Sequence, residues 1–365
     1  MKNTFGTSVS VTLFGESHGE YIGAVIDGLA PGIDIDEEYI SSRLSLRRPS
    51  GNISTARREA DEFRIVSGAF CGKTTGAPLC ILIPNSDTHS FDYEAIKTVA
   101  RPSHADFTAY EKYHGFADYR GGGHFSGRLT AALVAAGAIA QSALKKLGIA
   151  IGTHIKKCAG VSDRAFSDID ADVSALEYAD FAVLDVCAGE KMKAAIEAAR
   201  ADGDSVGGVL ECAALGVPAG VGEPWFDGVE SALSRALFAI PAVKGVEFGA
   251  GFAVSDMRGS AANDEFFADG GKIYTKTNNN GGLLGGITTG MPIIFSCAIK
   301  PTPSISKEQD TVDFVKNENT TINISGRHDP AIVHRARAVV DATAALVICD
   351  MLAQRYGTDY IGGAK

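Results

Sequence analysis

The chain has no Cys-x-x-Cys pair. Its seven cysteines are Cys71, Cys80, Cys158, Cys187, Cys212, Cys297 and Cys349, odd in number and widely spaced. That pattern argues against a disulfide framework and for buried free thiols in a reducing compartment. No run of His, Cys or carboxylates has metal-ligand spacing, so no tightly bound structural metal is expected. Positive charge is in deficit: 34 Lys and Arg face 44 Asp and Glu, a formal net charge of -10. Non-specific binding to nucleic acid or to an anionic membrane is therefore disfavoured. Long apolar runs are missing as well. The most apolar stretch, residues 131–140, is short and bordered by Arg128, Thr130 and Gln141, which predicts a buried helix rather than a membrane span. The first twelve residues are too polar for a signal peptide. A soluble, cytoplasmic protein is expected.

What is present is a globular composition, with 45% hydrophobic and 21% charged residues over 365 positions. The 42 glycines imply many turns or close backbone approaches. One internal echo stands out. Gly72-Lys-Thr-Thr-Gly-Ala-Pro-Leu-Cys-Ile-Leu-Ile83 resembles Gly286-Ile-Thr-Thr-Gly-Met-Pro-Ile-Ile-Phe-Ser-Cys297. Upstream, Gly28-Leu-Ala-Pro-Gly32 and Gly216-Val-Pro-Ala-Gly220 each precede a helical pattern, one through Arg43 and Leu44, the other through Leu233 and Leu237. Repeated order and spacing point to an internal duplication, with related halves at about 1–150 and 200–357 fused into one domain.

Residues 9–14, 77–83, 208–214 and 293–299 are β-rich runs bounded by Gly or Pro and read as strands. Residues 129–147 predict an alanine-rich helix, with Ser126 able to cap its start and Gly148 stopping it. Its low polarity all round implies burial between layers. A second long helix is predicted over 331–356, with Asp329 at its N-cap, Pro330 in its first turn and Gly357 past its end. Shorter helices are expected at 191–201 and 228–238. The fold class that results is α+β, a layered β-α-β sandwich with buried central helices between antiparallel sheets.

Three blocks carry candidate chemistry. Gly15-Glu-Ser-His-Gly19 puts His18 in a loop after a strand. Arg101-Pro-Ser-His-Ala-Asp106 surrounds His104 with an arginine, a hydroxyl and a carboxylate, which can fix an imidazole tautomer and raise its basicity. Arg327-His-Asp-Pro330 adds Asp329. Gly121-Gly-Gly-His-Phe-Ser-Gly-Arg128 exposes backbone donors at a helix start, where phosphate could sit with Arg128 assisting. It has neither the Gly-Lys-Ser/Thr ending of a P-loop nor the strand-first context of a dinucleotide fold. Arg43, Arg47, Arg48, Arg57 and Arg58 form a basic segment inside an acidic chain, read either as an anion site or as a solvated loop. Together the blocks suggest a site that grips a polyanion with guanidinium groups and moves protons on it.

These blocks resemble one family, chorismate synthase, over nearly the whole chain. Phe14-Gly-Glu-Ser-His-Gly19, Asp118-Tyr-Arg-Gly-Gly-Gly123, Gly203-Asp-Ser-Val-Gly207, Val243-Lys-Gly-Val-Glu-Phe-Gly249, Gly281-Gly-Leu-Leu-Gly-Gly286 and Gly326-Arg-His-Asp-Pro330 occur in order. The resemblance implies a lyase that removes the 3-phosphate and a C6 hydrogen from 5-enolpyruvylshikimate 3-phosphate by trans-1,4-elimination, giving chorismate for aromatic amino acid biosynthesis. It implies reduced FMN as cofactor, an association with NADP, an outside source of reduced flavin and a homotetramer. By similarity, His18 serves the departing phosphate, His104 the reduced flavin, and Asp329 assists proton loss near flavin N5; the sequence leaves open which histidine serves which partner. Arg47, Arg48, Arg101 and Arg128 map to the substrate. FMN contacts map to His124, Phe125, Ser126, Pro241, Ala242, Gly285, Lys300, Pro301, Thr302, Pro303, Ser304 and Arg327. Two departures fall on the flavin side: His124-Phe-Ser-Gly-Arg-Leu-Thr130 replaces the usual Arg-Ser-Ser-Ala-Arg-Glu-Thr, and Pro241-Ala242 replaces Asn-Ala. They motivate an alternative, a divergent paralogue that binds flavin or a phosphorylated ligand without turnover.

Overall fold

The computed structural model describes residues 2–49, 51–55, 60–86, 97–324 and 329–363. The first part of the chain runs β1 (Thr4–Phe5), β2 (Ser10–Gly15), β3 (Tyr21–Asp27), α1 (Glu37–Arg47), β4 (Arg64–Ser67), β5 (Leu79–Pro84), α2 (Asp106–Lys112) and α3 (Thr130–Lys146). The second runs β6 (Ala150–Cys158), β7 (Val161–Ser162), α4 (Ile169–Leu176), α5 (Val186–Ala201), β8 (Gly208–Leu215), α6 (Val229–Leu237), β9 (Val243–Phe248), β10 (Ile293–Ile299) and α7 (Val333–Tyr356). Three two-stranded hairpins extend the second part, at Phe266–Asp269 with Lys272–Thr275, Leu283–Leu284 with Ile287–Thr288, and Gln309–Asp313 with Glu318–Ile322.

Two five-stranded antiparallel sheets result, in the orders β1-β2-β3-β5-β4 and β9-β10-β8-β6-β7. They trace one path twice. β2, β3, β4 and β5 correspond to β6, β8, β9 and β10, with the last strand of each set inserted beside the second. Helices α1 and α6 follow the second strand of each set, and α3 and α7 follow the last. The counterpart of β2 begins at Ala150, so the repeated path starts well before residue 200.

Period-two patterning decides which face each sheet buries. Leu79, Ile81 and Ile83 of β5 point inward, as do Ile293, Phe295, Cys297 and Ile299 of β10. The helices fill the space between: α3 packs on β3 and β5, α7 on β6 and β8, and α3 against α7. That last crossing needs a glycine. A Cβ at Gly137 would lie 2.3 Å from Ala342 Cβ and 2.5 Å from its Cα. The helical segment Gly127–Lys146 has the length and hydropathy of a membrane span, but it is mostly buried within this core, as its all-round apolar sequence predicts.

Several expectations shift. Ser126 accepts from Arg128 N and so caps the 3₁₀ turn Gly127–Leu129 that leads into α3. Asp329 is not a helix cap: α7 begins at Val333 with Ile332 at the N-cap and no side-chain cap bond. The Asp-Pro signature is present, but the Asp329 carboxylate is claimed by Arg335 and Thr55 instead. Helix α5 starts at Val186 rather than 191, because Asp185 accepts from Cys187 N and caps it there.

Candidate active site

The site is built around the glycine loop between α2 and α3. Gly121, Gly122 and Gly123 all take positive φ (60°, 82° and 55°), a run open to glycine and strained for other residues. Ser17 N donates to Gly123 O at 3.1 Å, tying the loop to the end of β2. The two histidines of the sequence motifs press on consecutive glycines. A Cβ at Gly121 would meet His18 Cδ2 at 2.5 Å, and one at Gly122 would meet His104 Cε1 at 3.1 Å. The triple glycine is thus the thin wall against which both imidazoles rest.

On one side of His104 lies a cavity of about 900 Å³, within the range of a cofactor or substrate site. His104, Asp329, Arg47, Arg48 and Arg128 line it, as do His124, Phe125, Ser126, Pro241, Ala242, Lys300, Thr302, Pro303 and Ser304. His18 does not line it; its ring rests against Gly121. Gly285 lies in the tight turn between Leu284 and Ile287, away from it, and neither Pro301 nor Arg101 is in its wall. Arg327 falls outside the described residues, as do Arg57 and Arg58.

The basic residues divide by partner. Arg47 and Arg128 share the buried carboxylate of Asp61, Arg47 Nη1 at 3.1 Å from Oδ2 and Arg128 Nη1 on Oδ1. Arg47 also donates to Thr130 Oγ1 at 2.8 Å, and Arg128 to Asn85 Oδ1 at 2.9 Å. Arg335 Nη1 reaches Asp329 Oδ2 at 2.8 Å, while Thr55 N donates to Oδ1 at 2.9 Å. Arg48, Arg235, Lys244 and Lys300 also line the cavity, and among the described residues no carboxylate pairs with them. Burial, joined by the charge of Lys244, lowers the pKa of the Lys300 ammonium. A strongly cationic chamber therefore sits inside an acidic chain, suited to an anion with more than one charge.

His104 is held from its other side. Its Nδ1 lies 2.9 Å from Asp106 Oδ1 and 3.0 Å from Arg101 Nη2. Arg101 grips Asp106 through Nε (2.7 Å) and Nη2 (2.6 Å). Burial works to raise the Asp106 pKa, but the hydrogen bonds from Arg101 and His104 outweigh it and hold the carboxyl well below the usual carboxylate range. His124 Nδ1 sits 2.9 Å from Gly15 O, an oxygen that can only accept, so this nitrogen carries the proton. Three non-glycine residues around the cavity have left-handed backbones: Asp61 (φ 53°), Ser103 (φ 59°) and Ala242 (φ 76°). Such strain clusters where a site is held in one geometry.

Sequence reasoning missed Asp61, Arg235, Lys244 and Arg335. Lys244 lies within the Val243–Gly249 block, and Arg335 lies in the first turn of α7, shortly after Asp329. Asp61 and Arg235 carry no local signal.

A β-α-β sandwich holding a cationic cavity, a clamped carboxylate and two imidazoles on a glycine wall defines a class: enzymes that bind a small polyanion and manage its protons. Known proteins narrow the class. The sequence profile of the chorismate synthase family matches residues 9–353. A chorismate synthase of Pyrococcus abyssi is 48% identical over 347 residues, 95% of this chain and 96% of that protein. One from Thermococcus gammatolerans is 47% identical over 350 residues, 96% of this chain and 97% of its own length. A crystal structure of a chorismate synthase superposes with a TM-score of 0.76 at 27% identity, covering 98% of this chain and all of that one. The chain belongs to the chorismate synthase family.

Proposed function

We propose that this chain is a shikimate-pathway lyase that converts 5-enolpyruvylshikimate 3-phosphate to chorismate and phosphate, and that it works with reduced FMN. The observation that carries this reading is the cationic cavity bounded by His104 and Asp329 in a member of this family. The substrate bears two carboxylates and a phosphate. Arg48, Lys244, Lys300 and Arg235 offer unpaired positive charge to such a ligand, and a hydrogen bond to a charged group contributes roughly 1.5–3 kcal/mol. Arg47 and Arg128, joined through Asp61, stiffen the cavity floor.

The lining also fits a flavin. Thr302 Oγ1 and Arg48 Nε are buried without a hydrogen-bond partner among the described residues, and both residues line the cavity. Buried polar atoms are rarely left so unless a ligand completes them. Leu129, Leu133, Ile240 and Leu346 give an apolar surface for a flat ring. Bound there, reduced FMN would supply electron density for C–O cleavage. The protein's own share is to hold the substrate, to shield it, and to place imidazole nitrogens and the Asp329 carboxylate near the proton positions. His124 and Pro241 stand on the cavity wall where the family usually has arginine and asparagine, so they are assigned to the flavin side.

The same reading includes a homotetramer, a cytoplasmic location and reduced flavin from outside the chain. It also treats the two sheets with their shared helices as one domain. An anaerobic assay with reduced FMN and the enolpyruvyl substrate tests the activity. Stoichiometric chorismate and phosphate are expected. Tight flavin binding with no phosphate release would instead support the non-catalytic paralogue.

A further inference from the structure

The motif Arg101-Pro-Ser-His-Ala-Asp106 reads as an arginine for substrate beside a histidine for protons. The structure separates the two roles differently. Arg101 and Asp106 do not line the large cavity; they line a smaller one of about 200 Å³ on the other side of His104. His104 lines both, so its ring stands in the partition. Nδ1 is the edge turned to Arg101 and Asp106. Nε2 has no hydrogen-bond partner among the described residues, and a Cβ at Gly122 would approach it to 3.3 Å. The missing side chain of Gly122 therefore leaves this nitrogen reachable.

We infer that Asp106 is a positioning residue for His104, holding the proton on Nδ1 so that Nε2 is the working nitrogen, and that Arg101 acts through Asp106 rather than as a substrate clamp. The argument is geometric. Asp106 accepts from Arg101 Nε at 2.7 Å, from Arg101 Nη2 at 2.6 Å and from Arg101 N at 3.0 Å. A carboxylate so surrounded by donors is ionised and can only accept. Its Oδ1 lies 2.9 Å from Nδ1. Without a proton between them, two lone pairs would face each other at hydrogen-bonding distance. Arg101 Nη2 is also 3.0 Å from Nδ1, but its shorter bond is to Oδ1. Because the Arg101–Asp106 pair is close to neutral overall, it orients the ring while adding little net charge. Ser103, left-handed at φ 59°, and the bond from His104 N to Arg101 O at 3.1 Å fold the loop so that this contact forms within six residues.

The inference rests on His104 handling protons in the proposed reaction, yet its first test does not use turnover. Long-range ¹H–¹⁵N spectra of histidine-labelled protein without ligand, with His104 assigned by loss of its signals in His104→Gln, report the tautomer. A pyrrole-like Nδ1 and a pyridine-like Nε2 are expected in the neutral ring; a bare Nδ1 would overturn the inference. In kinetics, Asp106→Asn should shift the tautomer and lower kcat by roughly 10²-fold while KM for the substrate stays within about two-fold. Arg101→Lys, which loses the fork but keeps the charge, should lower kcat by about ten-fold with the same small change in KM. Wild-type kcat in Asp106→Asn, or an Arg101→Lys defect confined to KM, would sink it. If the unaltered protein released no phosphate, the proposed reaction would fail while the tautomer remained decided by the spectrum.

Discussion

His18 and His104 rest on neighbouring glycines, yet only His104 reaches the large cavity. If both are acid–base groups, His18→Ala and His104→Ala should each lower turnover by roughly 10²–10⁴-fold. Near-wild-type rates in both would remove them from the chemistry. A different residue carries the scaffold. Asp61 lies between the guanidiniums of Arg47 and Arg128, with its side chain fully buried. Removing one member of a buried ionic cluster leaves charge uncompensated, so Asp61→Ala should cost roughly 3–5 kcal/mol in urea unfolding. A loss below about 1 kcal/mol would place the cluster in the range of exposed pairs. This contrast shows what a sequence reveals at single-residue scale. The Arg101–His104–Asp106 group was legible because its members are near neighbours in the chain. The Asp61 cluster was not, since its arginines come from α1 and from the 3₁₀ turn that leads into α3, and nothing local marks the carboxylate between them.

At the scale of elements, the α3–α7 crossing fixes the spacing of the two sheets. Alanine is favoured over glycine inside a helix by about 1 kcal/mol. At Gly137 the sign should reverse, because the new methyl would lie 2.5 Å from the Ala342 backbone. Gly137→Ala is expected to lower stability by roughly 1–3 kcal/mol, the usual range for overpacking; a rise in Tm would show that the helices can separate freely. Helix α7 also contains a buried titrating group. Burial, joined by the charge of Arg335, depresses the His334 pKa from 6.5 to about 4. The neutral ring is the folded form, so this contribution is complete above pH 6.5 and is lost as pH falls toward 4. Melting curves across that window should show stability dropping with acid, and His334→Gln should flatten the slope. An unchanged slope would assign the drop to other groups. The strands β2, β5, β8 and β10 were legible as β-rich runs bounded by Gly or Pro. Strand β6 was not, since it buries Thr153 and His154 among its apolar residues and so loses the contrast that period-two reading needs. Asp329 was misread for a related reason: an Asp-Pro pair before a long helix has the signature of a cap, and only the folded chain brings Arg335 to claim it.

At the scale of the molecule, the cavity joins what the repeat separates. Arg48, Arg128 and His104 come from the first path of the chain; Lys244, Lys300 and Asp329 come from the second. Each path supplies one sheet and one long helix, and α3 and α7 bury against each other. A ligand held from both sides should therefore stabilise both. Binding to the folded state adds about 2.7 kcal/mol at a ligand concentration one hundred times Kd. Oxidised FMN at saturating concentration should move the whole thermal transition upward as one unit in calorimetry. Because the unpaired cations meet an anionic group, that shift should shrink as salt is raised and shrink further in Lys244→Ala. Two separable transitions, with FMN moving only one, would mean that the paths fold independently and that the cavity wall is not shared. A shift indifferent to both salt and Lys244 would mean that the flavin is held by its ring alone.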